Sequence, residues 1–184
     1  MSNRELYSPG AANVAHVEKD GDHWTLVVEK SLRHSPEKVW AALTEPEQLS
    51  QWSPFDADGN LGKVGVTAKL TTVGAPPEYA SETTVTRAEA PHVLEYKWGT
   101  FNMLWQLEPT DEGTKLTLWT NIARGYIGMG AAGWHVCFDV LDFLLAGEPI
   151  GRLVAHDALH LEGWQRLNRE YSEQFGIEVK VPNW

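Results

Sequence analysis

Cysteine is nearly absent from this chain: Cys137 is the only one among 184 residues. An internal disulfide framework is therefore excluded, which agrees with a reducing compartment. Basic residues are also scarce, 15 Lys and Arg against 25 Asp and Glu, for a formal charge of −10. They are scattered rather than clustered, which argues against nucleic acid or an anionic membrane as partner. An uninterrupted apolar run of about 18 residues is not found, so no membrane span is expected. The opening MSNRELYSPGAAN lacks the basic and apolar regions of a secretory signal, and a cytoplasmic setting is expected. G-x-S-x-G, a glycine-rich phosphate loop and CxxC are all missing, leaving nucleotide binding and the common hydrolytic machineries without support.

What is present is apolar bulk. The chain is 42% hydrophobic and carries nine Trp, enough for one well-filled core. Residues 1–13 read as a flexible tail, 14–176 as a single domain and 177–184 as a short C-terminal tail. Val14 to Lys19 and His23 to Arg33 alternate around Asp20-Gly21, the signature of a hairpin. Ser35 with Pro36 starts a helix whose Val39, Trp40 and Leu43 form an apolar stripe, and Thr44-Glu45-Pro46-Glu47 reads as a capping box for a second short helix ending at Trp52. Both Trp40 and Trp134 are expected in the core.

A loop over 53–62 precedes strands expected at 64–73, 81–90, 93–98, 100–108 and 114–123, punctuated by Gly and Pro. Apolar residues recur at helical spacing from Ala131 to Ala146, with Gly147 and Pro149 as the stop, and again over about 156–175. The segment S-P-x-x-V-W-x-x-L-T-x-P-x-x-L-x-x-W over residues 35–52 resembles the opening of the family related to the activator of the heat-shock-protein-90 ATPase. That family lies within the helix-grip superfamily of birch pollen allergen and START-type lipid-binding domains. The resemblance implies an α+β fold: a curved antiparallel sheet of six or seven strands around a long C-terminal helix, with two short helices after the first strands and one further C-terminal helix. Two Gly-Trp pairs, Gly133-Trp134 and Gly163-Trp164, compete for the grip, and the first is favoured because its helix has the wider apolar face.

The resemblance also implies an internal pocket. Strand alternation puts Leu94, Tyr96 and Trp98 on one face and Met103 and Trp105 on another; with Trp52 and Phe55 at the mouth and Trp134, Phe138 and Leu141 on the closing helix, these line the expected chamber. The competing reading is that the rings simply fill the core. The expected partner is a small hydrophobic molecule, with a homodimer or a chaperone contact as alternatives and a polyketide cyclase-like enzyme as another.

No catalytic residue is singled out, and neither a metal nor a cofactor is expected. His156 and His160, four apart, nearly spell a metalloprotease motif, but Asp157 stands where that motif has Glu and a third ligand is missing; capping or solvation is the expected role. His135 and Asp139 share a helix face as a base and its orienting carboxylate would, with a structural role expected. Cys137 reads as a buried structural thiol.

Overall fold

The computed structural model describes residues 1–182; positions 183 and 184, the end of the expected C-terminal tail, lie outside the described residues. The elements in chain order are α1 (Asn3–Leu6), β1 (Ala15–Asp20), β2 (His23–Leu32), α2 (Pro36–Thr44), α3 (Pro46–Leu49), β3 (Phe55–Ala57), β4 (Thr67–Thr72), β5 (Ser81–Thr84), β6 (Arg87–Glu89), β7 (Val93–Trp98), β8 (Phe101–Thr110), β9 (Gly113–Ile122), α4 (Ile127–Leu145), α5 (Ala155–Leu159) and α6 (Glu162–Gln174). Six strands form an antiparallel sheet in the order β1-β2-β9-β8-β7-β6, and β3-β4-β5 form a second, smaller one. Both sheets and α4 share one hydrophobic core.

The switch between sheets explains why one expected strand over 81–90 is two. Val85 N–H donates to Val66 in the small sheet, while the next residue, Thr86, donates to Glu95 in the large one. Consecutive amides thus serve different sheets, and the strand breaks there. The loop expected over 53–62 contains β3, paired with β4 from Phe55 opposite Thr72 to Ala57 opposite Leu70.

Helix α2 starts as its residues dictate: Ser35 Oγ accepts from Lys38 N–H at 3.3 Å and Pro36 occupies the first turn. The expected capping box at Thr44 does not form. Thr44 Oγ1 instead donates to the Trp40 carbonyl at 2.8 Å, and Glu45 caps α3 by position alone. Trp40 is half-buried rather than in the core. Trp52 takes the anchoring role: its ring is fully buried and its Nε1–H donates to the Ala42 carbonyl at 2.9 Å, which satisfies the indole inside the core.

The first Gly-Trp helix, α4, fills the grip, packing against β2 on one side and α6 on the other. The stretch Arg124–Leu145 is long and apolar enough to span a bilayer by length and composition alone, although His135, Asp139 and Asp142 interrupt it. Its faces are buried against the sheet and α6, which accounts for that composition. The helix expected over 156–175 is two helices: Leu161 adopts extended backbone between α5 and α6 and packs against the core.

The N-terminal residues are bonded to the body of the domain. Arg4 donates from Nη1 to the carbonyls of Ile150, Gly151 and Arg152 at 3.0–3.1 Å and from Nη2 to Asp157. Arg166 binds the carbonyls of Pro9 and Gly10, and Ala12 is buried. At the other end, Asn168 Nδ2 donates to the Lys180 carbonyl and Lys180 lies over the Tyr126 ring, so the described part of the C-terminal tail also follows the body.

Candidate functional site

The rings that alternation brings to the sheet's inner face meet the rings of α4 and stack without a gap. Trp105 sits edge-on to Trp52 at 6.0 Å and to Trp134 at 5.7 Å, with Phe138 at 6.0 Å; Phe55 meets Tyr96 at 6.2 Å and Trp98 at 5.1 Å. Such T-shaped and tilted pairs place a positive ring edge near a negative ring face. Trp52, Phe55, Leu94, Tyr96, Met103, Trp105, Phe138 and Leu141 are all at most 1% exposed. The expected chamber floor is therefore packed core. Burial holds the Tyr96 phenol proton well above its ordinary range, only partly offset by the Trp105 indole, so that hydroxyl is not poised for acid–base chemistry.

A cavity of about 630 Å³ lies beside this cluster. Its wall comprises Leu26 of β2, Thr120 and Ile122 of β9, the turn from Trp98 to Phe101, one face of α4 (Gly130, Gly133, Trp134, Cys137), the segment Leu153–Leu159 and Trp164 of α6. Of the expected lining, only Trp98 and Trp134 are on this wall. Trp98 forms the partition: its ring touches Phe55 on the core side and Phe101 at 5.5 Å on the chamber side, and its Nε1–H donates to Thr72 at 2.9 Å. Phe101 and Tyr126 are the exposed rings of the lining, at 38% and 52%.

Few polar groups face the chamber, and those of Asn121 and Thr120 are bonded within the protein. Asn121 accepts from Asn102 N–H at 2.6 Å and donates to the Thr100 carbonyl at 3.2 Å; Thr120 Oγ1 points to Met103 Sδ at 3.6 Å. Cys137 is a protonated thiol on the wall, its pKa pushed up to about 12 chiefly by burial. Gly133 leaves open space on the middle of α4: a Cβ there meets nothing nearer than Trp164 Nε1 at 4.0 Å. A glycine in a helix interior costs about 1 kcal/mol relative to alanine, so this position favours room over helix stability.

Two arginines pin the Leu153–Leu159 wall. Arg4 holds the carbonyls just before it, and Arg152 reaches the other way to the carbonyls of Leu49 and Phe55 at 3.1 and 3.2 Å and to Asp56 at 2.9 Å. Ala155 adopts φ 50°, and Gly74 is required beneath it, since a Cβ at Gly74 lies 2.7 Å from that of Ala155.

His135 and Asp139 do face together, but toward the N-terminal segment and not the chamber. Val14 N–H donates to the Tyr171 oxygen at 3.2 Å, and Tyr171 lies 2.8 Å from His135 Nδ1. The Asp139 carboxylate, 3.7 Å from His135 Nε2, favours the proton on that nitrogen, which leaves Nδ1 to accept from the Tyr171 hydroxyl. Asp139 accepts from Tyr7 at 2.6 Å and Lys30 at 2.8 Å. Burial lowers the His135 pKa against the opposing pull of Asp139, and burial pushes Tyr171 up to about 12. This network is a clasp for the chain start. Its members were visible in the sequence only as the His135 and Asp139 spacing; Tyr7 and Lys30 carried no signal.

Comparisons with known proteins agree with this architecture. A conserved protein of unknown function from Enterococcus faecalis superposes with a TM-score of 0.66 at 17% identity, over 88% of this chain and 90% of that one. CalU16 from Micromonospora echinospora gives 0.61 at 16% identity, over 88% and 92%. A protein from Mesorhizobium loti gives 0.58 at 26% identity, over 67% and 97%. No curated protein matches the chain. Residues 33–146, more than half of the sequence, match the family described as Activator of Hsp90 ATPase homolog 1-like protein, and the chain belongs to that family.

Proposed function

We propose that the protein binds a small hydrophobic molecule in the chamber between α4, the β7–β8 turn and the Leu153–Leu159 segment. The observation that carries this reading is an apolar space of about 630 Å³ kept separate from a core that is already filled. That volume falls within the range of pockets that enclose drug-sized ligands. Because Asn121 and Thr120 are satisfied internally, recognition rests on shape and on contact with the rings of Trp98, Trp134, Trp164 and Phe101, with the indole N–H groups of Trp134 and Trp164 as the donors at hand. The thiol on this wall, Cys137, is held protonated by burial, which supports binding over turnover as the reading.

The test is titration of an apolar fluorescent probe into the whole protein, followed by the tryptophan emission of the wall. Saturable binding with one probe per chain supports the reading. Absence of saturation at high probe concentration removes it and turns attention to the family's interaction role, with a chaperone as the partner to try.

A further inference from the structure

Two imidazoles four residues apart meet on the surface of the structure. His156 and His160 are both exposed, on the outer side of α5, and their Nε2 atoms are 2.9 Å apart with ring centroids at 4.1 Å. In the metal-free protein one ring donates its N–H to the other's lone pair. Replace that proton with a cation and the same two atoms become ligands. At metal–nitrogen bonds of about 2.0–2.1 Å, two nitrogens at a right angle lie about 2.9 Å apart, whereas tetrahedral neighbours lie about 3.3 Å apart. The observed separation is set by the hydrogen bond between the rings and brings both nitrogens within reach of one ion. Imidazole suits Cu(II), Ni(II) and Zn(II), and Cu(II) heads the affinity order for sites of this type.

We propose that His156 and His160 form a surface site for Cu(II) or Ni(II), with water completing the coordination. Asp157 does not join, being paired with Arg4 at 3.1 Å, and among the described residues no third His, Cys, Asp or Glu converges on the pair. The site is therefore a two-ligand chelate of moderate affinity and not a closed structural centre. An ion held there spans one turn of α5, whose Ala158 and Leu159 belong to the chamber wall, so loading stiffens that wall from outside.

Calorimetric titration of Cu(II) into the whole protein, His156→Gln and His160→Gln tests the site, with electron paramagnetic resonance of each copper-loaded sample. The expected result is a strongest site that weakens at least tenfold in either variant, together with loss of a two-nitrogen spectrum. Other copper ligands are common to all three proteins and cancel in the comparison. A second measurement reads the wall itself: amide exchange over 155–160 slows on Ni(II) loading in the native chain and not in His160→Gln. Equal affinity in all three proteins, or a spectrum unchanged by either substitution, overturns the proposal.

Discussion

Tyr7 donates a 2.6 Å hydrogen bond to Asp139, a residue 132 positions later in the middle of the core helix. Asp139 also accepts from Lys30, so one carboxylate joins the chain start, β2 and α4.

Replacing Tyr7 with Phe removes that bond and little else. Hydrogen bonds to charged groups contribute about 1.5–3 kcal/mol, so Tyr7→Phe is expected to lower the unfolding free energy by that much. Urea denaturation checks it, with the midpoint falling at constant slope. An unchanged midpoint shows the N-terminal segment to be peripheral to stability.

The His135 clasp makes a pH prediction. Its folded-state pKa lies below the ordinary 6.5, mainly through burial, so the unfolded chain takes up a proton as pH falls through 6.5 while the folded chain does not. Stability that is complete above that pH is therefore lost on acidification, until the folded imidazole itself titrates. The slope from this one group is at most about 1.4 kcal/mol per pH unit. His135→Asn is expected to start lower at pH 8 and to lose less between pH 6.5 and the folded pKa. Denaturation curves across that window decide it; parallel profiles for the two proteins rule out His135 as the source.

Core and chamber respond oppositely to substitution. Trp105→Ala empties a fully buried site and should cost about 3–5 kcal/mol. Gly133→Leu should keep or raise the melting temperature, since it removes a helix glycine, yet weaken probe binding more than Trp105→Ala does. Thermal melts and probe titrations of both variants distinguish the two; a Gly133→Leu protein that binds as well as the native one puts the ligand elsewhere.

Cys137 supplies a chemical check on burial. With its thiol pKa raised to about 12 and its surface 3% exposed, it should resist a charged aromatic disulfide reagent in the native protein and release one equivalent on unfolding. Rapid native labelling contradicts the burial of this residue in the chamber wall.

The frame of the molecule was readable because each part has a local cause. Ser35-Pro36 starts a helix wherever it falls, and alternation from Leu94 to Leu107 assigns faces without reference to the rest of the chain. The chamber was not readable, because ring size is the same whether a tryptophan fills space or bounds it. Trp105 and Trp134 look alike in sequence; only packing reveals that one is interior and the other borders a void. The wall's other half, Leu153–Leu159, has no period, and the arginines that hold it act on backbone carbonyls 146 to 148 positions away from Arg4. The best sequence clue was Gly133, a helix breaker retained in the middle of the most apolar helix.

The chamber wall is drawn from two parts of the chain. Trp98, Phe101 and Trp134 lie inside the stretch that matches the family, whereas Leu26, the Leu153–Leu159 segment and Trp164 lie outside it. On the proposed binding role, substitutions in the flanks reshape the space offered to a ligand while leaving untouched the stretch by which the chain is assigned to its family.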